Sequence, residues 1–295
     1  MVYAPEYGSK PSTILLKYAR QWRETSRILR EERPGVVFVM SPPVVAAFPV
    51  FWYAWHSGAR VVIDAHTGAF MNKRWRRLQW LQRWMCRRAA TSIVHNARIA
   101  QCVSDAGGHV VVVPDVPIEF LRREPFPRPA GFTVAVVCSF NYDEPVAEIL
   151  EAARLVPDVR FFVTGNAKHL SPELKSRLPD NATLTGFLSI EAYGGLLTDA
   201  DVVMTLTTLD HTMLRGAYEA IYQGTPVIVT DNELLREFFS DGALHVNNSP
   251  KAIAAAVRTM QQRHQEFKAG AERLREHKLA VWRQTRQAIV NRLTA

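Results

Sequence analysis

Nowhere does the chain hold an uninterrupted apolar run long enough to cross a bilayer, which takes about 20 residues. The most apolar stretch, Val36–Trp55, is interrupted by Ser41 and by prolines at 42, 43 and 49, and reads as a buried strand followed by a helix. Met1 is not followed by the charged-then-apolar pattern of a secretory leader. Cysteine is scarce. Cys86, Cys102 and Cys138 cannot all pair and lack metal-ligand spacing, which excludes a disulfide framework and a zinc finger and predicts a reducing, cytoplasmic setting. Tandem repeats and low-complexity segments are absent. Acid is short in the first part only: residues 1–125 hold 18 Lys+Arg against 9 Asp+Glu, a net of +9. The remaining residues hold 18 against 19, a net of −1, so the whole excess of +8 lies in the first part and the two parts are expected to face different partners. What is present is ordinary: 47% hydrophobic and 22% charged over 295 residues, a globular composition with room for one to two domains.

Short apolar runs alternate with helical patterns along the chain. Residues 1–10 read as a strand end and loop. A helix over Thr13–Arg33 follows, with Ser12 as its cap and Pro34 as its stop. Strands are expected at Val36–Met40, Arg60–Asp64, Ser92–His95 and His109–Val113, and helices at Val44–Trp55, Asn72–Ala89 and Ala97–Ala106. Residues 115–131 hold four prolines and little periodicity. A second alternation starts at Phe132 and runs through strands at 160–164, 182–185, 201–206, 227–230 and 243–246. The pattern predicts two Rossmann-like α/β domains with parallel sheets covered on both faces. The expected division is residues 1–118, a linker at 119–131, a second domain at 132–265, and a helical tail at 266–295 that packs back on the first domain. Such a pair would bind ligands at the carboxyl ends of its strands.

The most informative stretch is TTLDHTMLRGAYEAIYQGTPVIVTD, residues 207–231. Asp210, His211 and Thr212 are N-cap types before a helix expected at Met213–Tyr222, which Gly224 and Pro226 terminate. A helix start offers unpaired N–H groups and a partial positive charge to phosphate. Arg215 and Glu219 are four residues apart on one face. That spacing fits a diphosphate-binding arginine and a ribose-binding carboxylate, and it equally fits an exposed ion pair on an ordinary crossover helix.

LTGFLSIEAYGGLLTDADVVMTL followed by HTMLRGAYEAIYQGTPVIVTDNELLREFF resembles the C-terminal domain of GT-B fold glycosyltransferases, in particular the family-4-like group. VVVPDVPIEF resembles the family's strand running into its linker, and CSFNYDEP and VVIDAHTGAF are similar to the enzymes that add the first mannose to lipid-linked chitobiose. The resemblance implies a nucleotide-diphosphate sugar as donor, with no cofactor and no metal. It places Glu219 on the second glutamate of the E-x7-E motif, the ribose ligand, and puts His211 where the first glutamate is expected. The Gly-Arg and Lys of the family's first loop in this domain are replaced here, with Ser139 in that loop. Phosphate binding then falls to the helix start and Arg215, with Gly165 and Lys168 in TGNAKHL nearby. In the first half, His66 matches a cleft-facing histidine of the family. Asp64, two residues earlier, would share its face if the strand persists and would orient the imidazole for acid–base work on an acceptor hydroxyl. The family's opening strand and glycine-rich loop have no counterpart at MVYAPEYG, so the first domain is expected to be short.

NKRWRRLQWLQRWMCRR, residues 72–88, holds seven Lys/Arg, three tryptophans and no acid. Arg74, Trp75, Arg77, Trp80, Trp84 and Arg87 suit an anionic bilayer face or a lipid-linked acceptor. The same pattern suits a core-facing amphipathic helix with a basic outer face. No nucleic-acid-binding motif accompanies it. Two function classes follow. One is a hexosyl-type glycosyltransferase building cell-surface polysaccharide or glycolipid, cytoplasmic or peripheral on the cytoplasmic membrane face. The other is a non-catalytic GT-B-like subunit that binds membrane or a partner glycosyltransferase. A nucleotide-sugar 2-epimerase on the same fold stands as a third.

Overall fold

The structure, a computed structural model, describes residues 13–127, 130–210 and 212–294. Ser12, the strand expected before it and His211 lie outside these residues. The chain divides into two units, Met1–Val116 with Val281–Ala295, and Pro117–Ala280.

The first unit holds a parallel sheet in the order β1 (Val36–Ser41), β2 (Arg60–Ala65), β3 (Thr91–Val94), β4 (Val110–Val112). β2 is buried along almost its whole length, which explains why RVVIDA is a near-continuous apolar run rather than an alternating one. β1 is the edge, and Phe38 and Met40 on one of its faces are exposed. Helices α1 (Ile14–Glu32), α2 (Phe48–Ser57), α3 (Thr67–Met71), α4 (Gln79–Arg88) and α5 (Ala97–Asp105) belong to the same unit. Its core joins Val61, Ile63 and Ala65 of β2 to Val50 and Phe51 of α2, to Met85 and Cys86 of α4, and to Trp75. One polar chain crosses this interior: the Ser41 hydroxyl donates to Gln82 Oε1 at 2.8 Å, and the Gln82 amide donates to Cys86 Sγ at 3.6 Å. Both Ser41 and Gln82 are fully buried, so each must be satisfied by the other.

The helix expected over 72–89 is not continuous. Lys73–Leu78 forms a 3-10 turn, and the α-helix begins only at Gln79. The residue that opens α4 is Leu78, which offers no side-chain cap. The break follows from packing: Trp75 turns into the core while Trp80 stays outside.

The second unit holds a six-stranded parallel sheet in the order β10-β9-β8-β5-β6-β7. These strands are β5 (Thr133–Val136), β6 (Arg160–Thr164), β7 (Ala182–Gly186), β8 (Val202–Thr205), β9 (Val227–Thr230) and β10 (Ala243–Val246). Strand order reverses between β5 and β8, the topological switch where doubly wound sheets bind ligands beyond their carboxyl ends. Helices α6 (Val146–Arg154) and α11 (Pro250–Gln262) cover one face, with α7 (Pro172–Ser176) at its margin. Helices α8 (Ile190–Asp199), α9 (Arg215–Tyr222) and α10 (Glu233–Phe238) belong to the other face. β5 shows the alternation: Val134 and Val136 join the first cluster and Ala135 the second. The last helix, α12 (His264–Thr294), starts in the second unit and ends among the residues grouped with the first.

The proline-rich segment groups with the second unit and is held against α8. Glu124 N–H donates to the Glu191 carbonyl at 3.1 Å and Phe126 N–H to Asp199 Oδ2 at 2.8 Å. Gly194 and Gly195 make room for it. A Cβ on Gly194 would lie 2.6 Å from the Phe120 ring, and one on Gly195 would lie 1.8 Å from the Glu124 carbonyl oxygen.

Candidate functional site

In the second unit the chemistry gathers at the carboxyl end of the sheet. A cavity of ≈ 440 Å³ opens beyond β5, β6 and β7, lined by Ser139 and Asn141, by Gly165, Asn166 and His169, and by Tyr193. Gly165 has φ +106°, a conformation that disfavours a side chain, and a Cβ there would lie 2.6 Å from the Cys138 carbonyl oxygen. Lys168 is exposed on the same loop, and His169 rather than Lys168 lines the cavity. Beneath Ser139, burial pushes the Cys138 thiol up to about 12, which makes it an inert core group.

Tyr193 links the cavity wall to α9. Its hydroxyl donates to Glu219 Oε2 at 2.6 Å, and Arg215 Nε donates to Glu219 Oε1 at 2.8 Å. Glu219 is buried, whereas the Arg215 side chain is 81% exposed. Burial, reinforced by the Glu219 carboxylate, pushes the Tyr193 phenol well above its usual range, so it remains a neutral donor. Each carboxylate oxygen accepts more than one hydrogen bond, so Glu219 keeps capacity for a ligand hydroxyl. Sequence spacing found the Arg215–Glu219 pair. It did not find Tyr193, which is 26 residues away and on α8.

The start of α9 differs from the expected one. The helix opens at Arg215 behind Leu214, with no side-chain cap, and Asp210 and Thr212 precede it outside any helix. The cause is visible upstream. Thr207 Oγ1 donates to Asp143 Oδ2 at 3.1 Å, and Thr208 N–H donates to the Asp143 carbonyl at 2.7 Å, tying the β8 exit to the β5 loop and drawing this segment out before it can coil. That β5 loop has its own internal anion. The Glu144 carboxylate accepts from Ser139 N–H at 2.9 and 3.0 Å and from Asn141 N–H at 2.8 Å. The unit holds an Asp-x-Asp pair, Asp199-Ala200-Asp201. Its carboxylates are bound within the protein, Asp199 accepting from Phe126 N–H and Asp201 from Thr133 N–H and the Thr133 hydroxyl, each at 2.8 Å.

In the first unit three side chains meet at the carboxyl end of the sheet. β2 persists to Ala65, and His66 follows in extended conformation as the residue before α3. Its backbone N–H donates to the Ser41 carbonyl at 2.8 Å, which fixes the exit. His66 Nε2 lies 3.4 Å from Asp64 Oδ2. The third member, His95, leaves β3 just ahead of Asn96, whose side chain caps α5 by accepting from Ile99 N–H. His95 Nε2 lies 3.6 Å from Asp64 Oδ1, and the two imidazoles stand 4.7 Å apart between ring centroids. His95 was missed as a site residue. Its signal was a polar residue directly after an apolar parallel strand, the position where such sheets carry function.

The tryptophan- and arginine-rich segment splits by role. Trp75 joins the core, Trp84 is half-buried against Phe51 at 5.7 Å with the Arg88 guanidinium 5.0 Å above its ring, and Trp80 is exposed. Arg77 and Arg87 are exposed, and Arg74 belongs to the 3-10 turn. Trp80 and Trp84 line an apolar cavity of ≈ 690 Å³ together with Trp52 and Trp55 of α2, which the sequence reading did not single out. Among the described residues no helix is long and apolar enough to cross a membrane.

Residues 131–263 match the family described as Glycosyl transferases group 1. A GDP-mannose-dependent alpha-(1-6)-phosphatidylinositol dimannoside mannosyltransferase from Mycobacterium tuberculosis is 30% identical over 145 residues, 47% of this chain and 36% of that enzyme. This chain's match thus spans about a third of its curated relative's length. Among solved structures, the sucrose-phosphate synthase of Thermosynechococcus elongatus superposes with a TM-score of 0.70 at 13% identity, over 99% of this chain and 84% of that one. The pneumococcal O-GlcNAc transferase in complex with UDP and GlcNAc gives 0.66 at 15% identity, over 92% and 60%. Anabaena HepE in complex with UDP-glucose gives 0.62 at 14% identity, over 92% and 82%. The fold is GT-B, two Rossmann-like domains, and the resemblance to family-4-like glycosyltransferases read from the sequence is borne out.

Proposed function

We propose that this GT-B protein, with its group 1 glycosyl transferase region at residues 131–263, moves a hexosyl group from a nucleoside-diphosphate sugar to a glycan or lipid-linked acceptor. The observation that carries this is the continuous wall from the cavity through Tyr193 to Glu219 and Arg215. A nucleoside would enter beyond β5–β7, its ribose diol would donate to Glu219, and the exposed part of Arg215 would meet the diphosphate. No metal is assigned to that step, since the helix start and a guanidinium can stabilise the leaving diphosphate. In the first unit His66, oriented through Nε2 by Asp64, would accept the acceptor hydroxyl's proton on Nδ1. A relative named as a phosphatidylinositol dimannoside mannosyltransferase supports a lipid-linked acceptor and glycolipid synthesis. Calorimetric titration with GDP- and UDP-sugars tests the reading: the parent binds one of them, and Glu219→Ala does not. Equal binding by both proteins would remove Glu219 from the site.

A second reading has one observation behind it. The Ser139 and Asn141 amides, which an incoming phosphate would use, are already held by Glu144. A non-catalytic GT-B-like subunit would have that arrangement. Binding to anionic vesicles with no turnover of any nucleotide sugar would favour it.

A further inference from the structure

We infer that Asp64, His66 and His95 form a binding site for one divalent transition-metal ion of the zinc type. The inference concerns the first unit alone and does not depend on sugar transfer.

The argument begins with one hydrogen bond. His95 Nδ1 lies 3.1 Å from the Val113 carbonyl oxygen, just beyond β4. A carbonyl oxygen only accepts, so Nδ1 carries a proton. In neutral imidazole the other nitrogen then presents a lone pair. That nitrogen, Nε2, faces Asp64 Oδ1 at 3.6 Å, and the carboxylate oxygen is also an acceptor. His66 Nε2 approaches the other oxygen of the same carboxylate at 3.4 Å. Asp64 Oδ1, His66 Nε2 and His95 Nε2 are all buried and none has a hydrogen-bond partner. His95 Nε2 and the Asp64 oxygens are thus electron-pair donors facing one another, and His66 Nε2 joins them in the tautomer that carries its proton on Nδ1, an arrangement that a cation satisfies.

The geometry and the donor set specify the cation. One atom from each of the three residues lies within 4.8 Å of the others. Ligands about 2.1 Å from a tetrahedral metal stand about 3.4 Å apart, and each imidazole nitrogen stands near that distance from one carboxylate oxygen, His66 from Oδ2 and His95 from Oδ1, so Asp64 would face the ion with both oxygens. Two imidazoles with one carboxylate suit zinc and its neighbours, whereas magnesium and calcium take oxygen ligands. The supporting contacts are in place as well: the Val113 carbonyl holds His95 by its second nitrogen, as metal-ligating histidines are held. The ligands come from the ends of β2 and β3, so the ion would clamp two neighbouring strand exits. It would also reverse His66. With the metal on Nε2, the proton sits on Nδ1, which then donates a hydrogen bond instead of accepting a proton.

The test uses the full chain, stripped by chelator and dialysed. Titration with Co²⁺ is followed by its visible absorption, and with Zn²⁺ by calorimetry. The parent is expected to bind one equivalent, and Zn²⁺ to raise its melting temperature. His95→Ala and His66→Asn are each expected to weaken binding by about tenfold or more and to lose the thermal shift. Asp64→Asn, nearly isosteric, gives the same answer where a histidine variant fails to fold. His109→Ala, which removes an exposed imidazole of the same unit, keeps parent affinity. No binding by the parent would overturn the inference, as would parent-like affinity in folded His95→Ala, His66→Asn and Asp64→Asn. Either result leaves Glu219 and the donor titration untouched, so the two proposals fail separately.

Discussion

Glu219 is held from two sides, and each side has a different consequence when removed. Tyr193→Phe deletes a neutral donor and leaves a buried carboxylate short of one partner, a loss of about 1–3 kcal/mol by chemical denaturation. Because Tyr193 also lines the cavity, the same variant should weaken nucleotide-sugar binding while keeping some. Glu219→Ala should abolish it. If Tyr193→Phe leaves both stability and binding at parent values, the hydrogen bond contributes nothing. A second residue-scale prediction concerns the Ser41–Gln82 pair. Gln82→Leu strands a fully buried hydroxyl and should cost about 1–3 kcal/mol, and Ser41→Ala in the same background should recover part of it. These residues also mark what the sequence can show. Arg215–Glu219 and Asp64–His66 are local pairs: helix spacing found the first, and the family resemblance found His66, with strand alternation adding Asp64. Tyr193 reaches Glu219 because α8 packs beside α9, and His95 reaches Asp64 because β3 pairs with β2, and no spacing rule registers either.

At the scale of elements, strands were legible because parallel strands buried on both faces are short apolar runs, and each of the ten appears within a residue or two of its expected place after residue 34. Helix starts were less so. The 207–214 segment is rich in capping residues, yet the Asp143 ties decide where α9 opens. The strap across α8 was legible only as a proline-rich linker, and the reason for Gly194-Gly195 opposite it was not. Gly195→Ala drives a methyl into the Glu124 carbonyl, and should cost about 1–3 kcal/mol with greater protease sensitivity around residues 117–127. β10 carries a pH effect. His245 packs toward α10 with Nε2 3.2 Å from the Leu235 carbonyl, and burial holds its pKa below the ordinary value of 6.5. The unfolded chain therefore takes up the proton first. The stability from neutral His245 is complete above about pH 6.5 and drains as pH falls through and below it. His245→Gln should shrink the drop in urea midpoint between pH 7.5 and 5.5. An unchanged drop would remove His245 as its source.

For the whole molecule, the charge asymmetry and the tryptophans point the same way. The basic excess lies in residues 1–125, and the first unit exposes Trp52, Trp55 at 79%, and Trp80 around an apolar cavity whose rim includes Arg60, Arg88 and Arg292. Exposed indoles that stack on one another cost solubility, and Trp52 and Trp55 meet edge-to-face at 5.9 Å while both remain exposed. An anionic bilayer would satisfy both features, with rings at the headgroup level and guanidiniums on phosphates. Sedimentation with phosphatidylglycerol vesicles should show binding that falls as salt is raised, because part of it is Coulombic. Trp55→Ala and Trp80→Ala should each lower the partition coefficient by about tenfold, the scale of one indole returned to water. Trp75→Ala should instead lower stability, since that ring is in the core. Neutral phosphatidylcholine vesicles should bind weakly at any salt. Binding that ignores salt, or that survives loss of both Trp55 and Trp80, would remove this surface as the membrane contact.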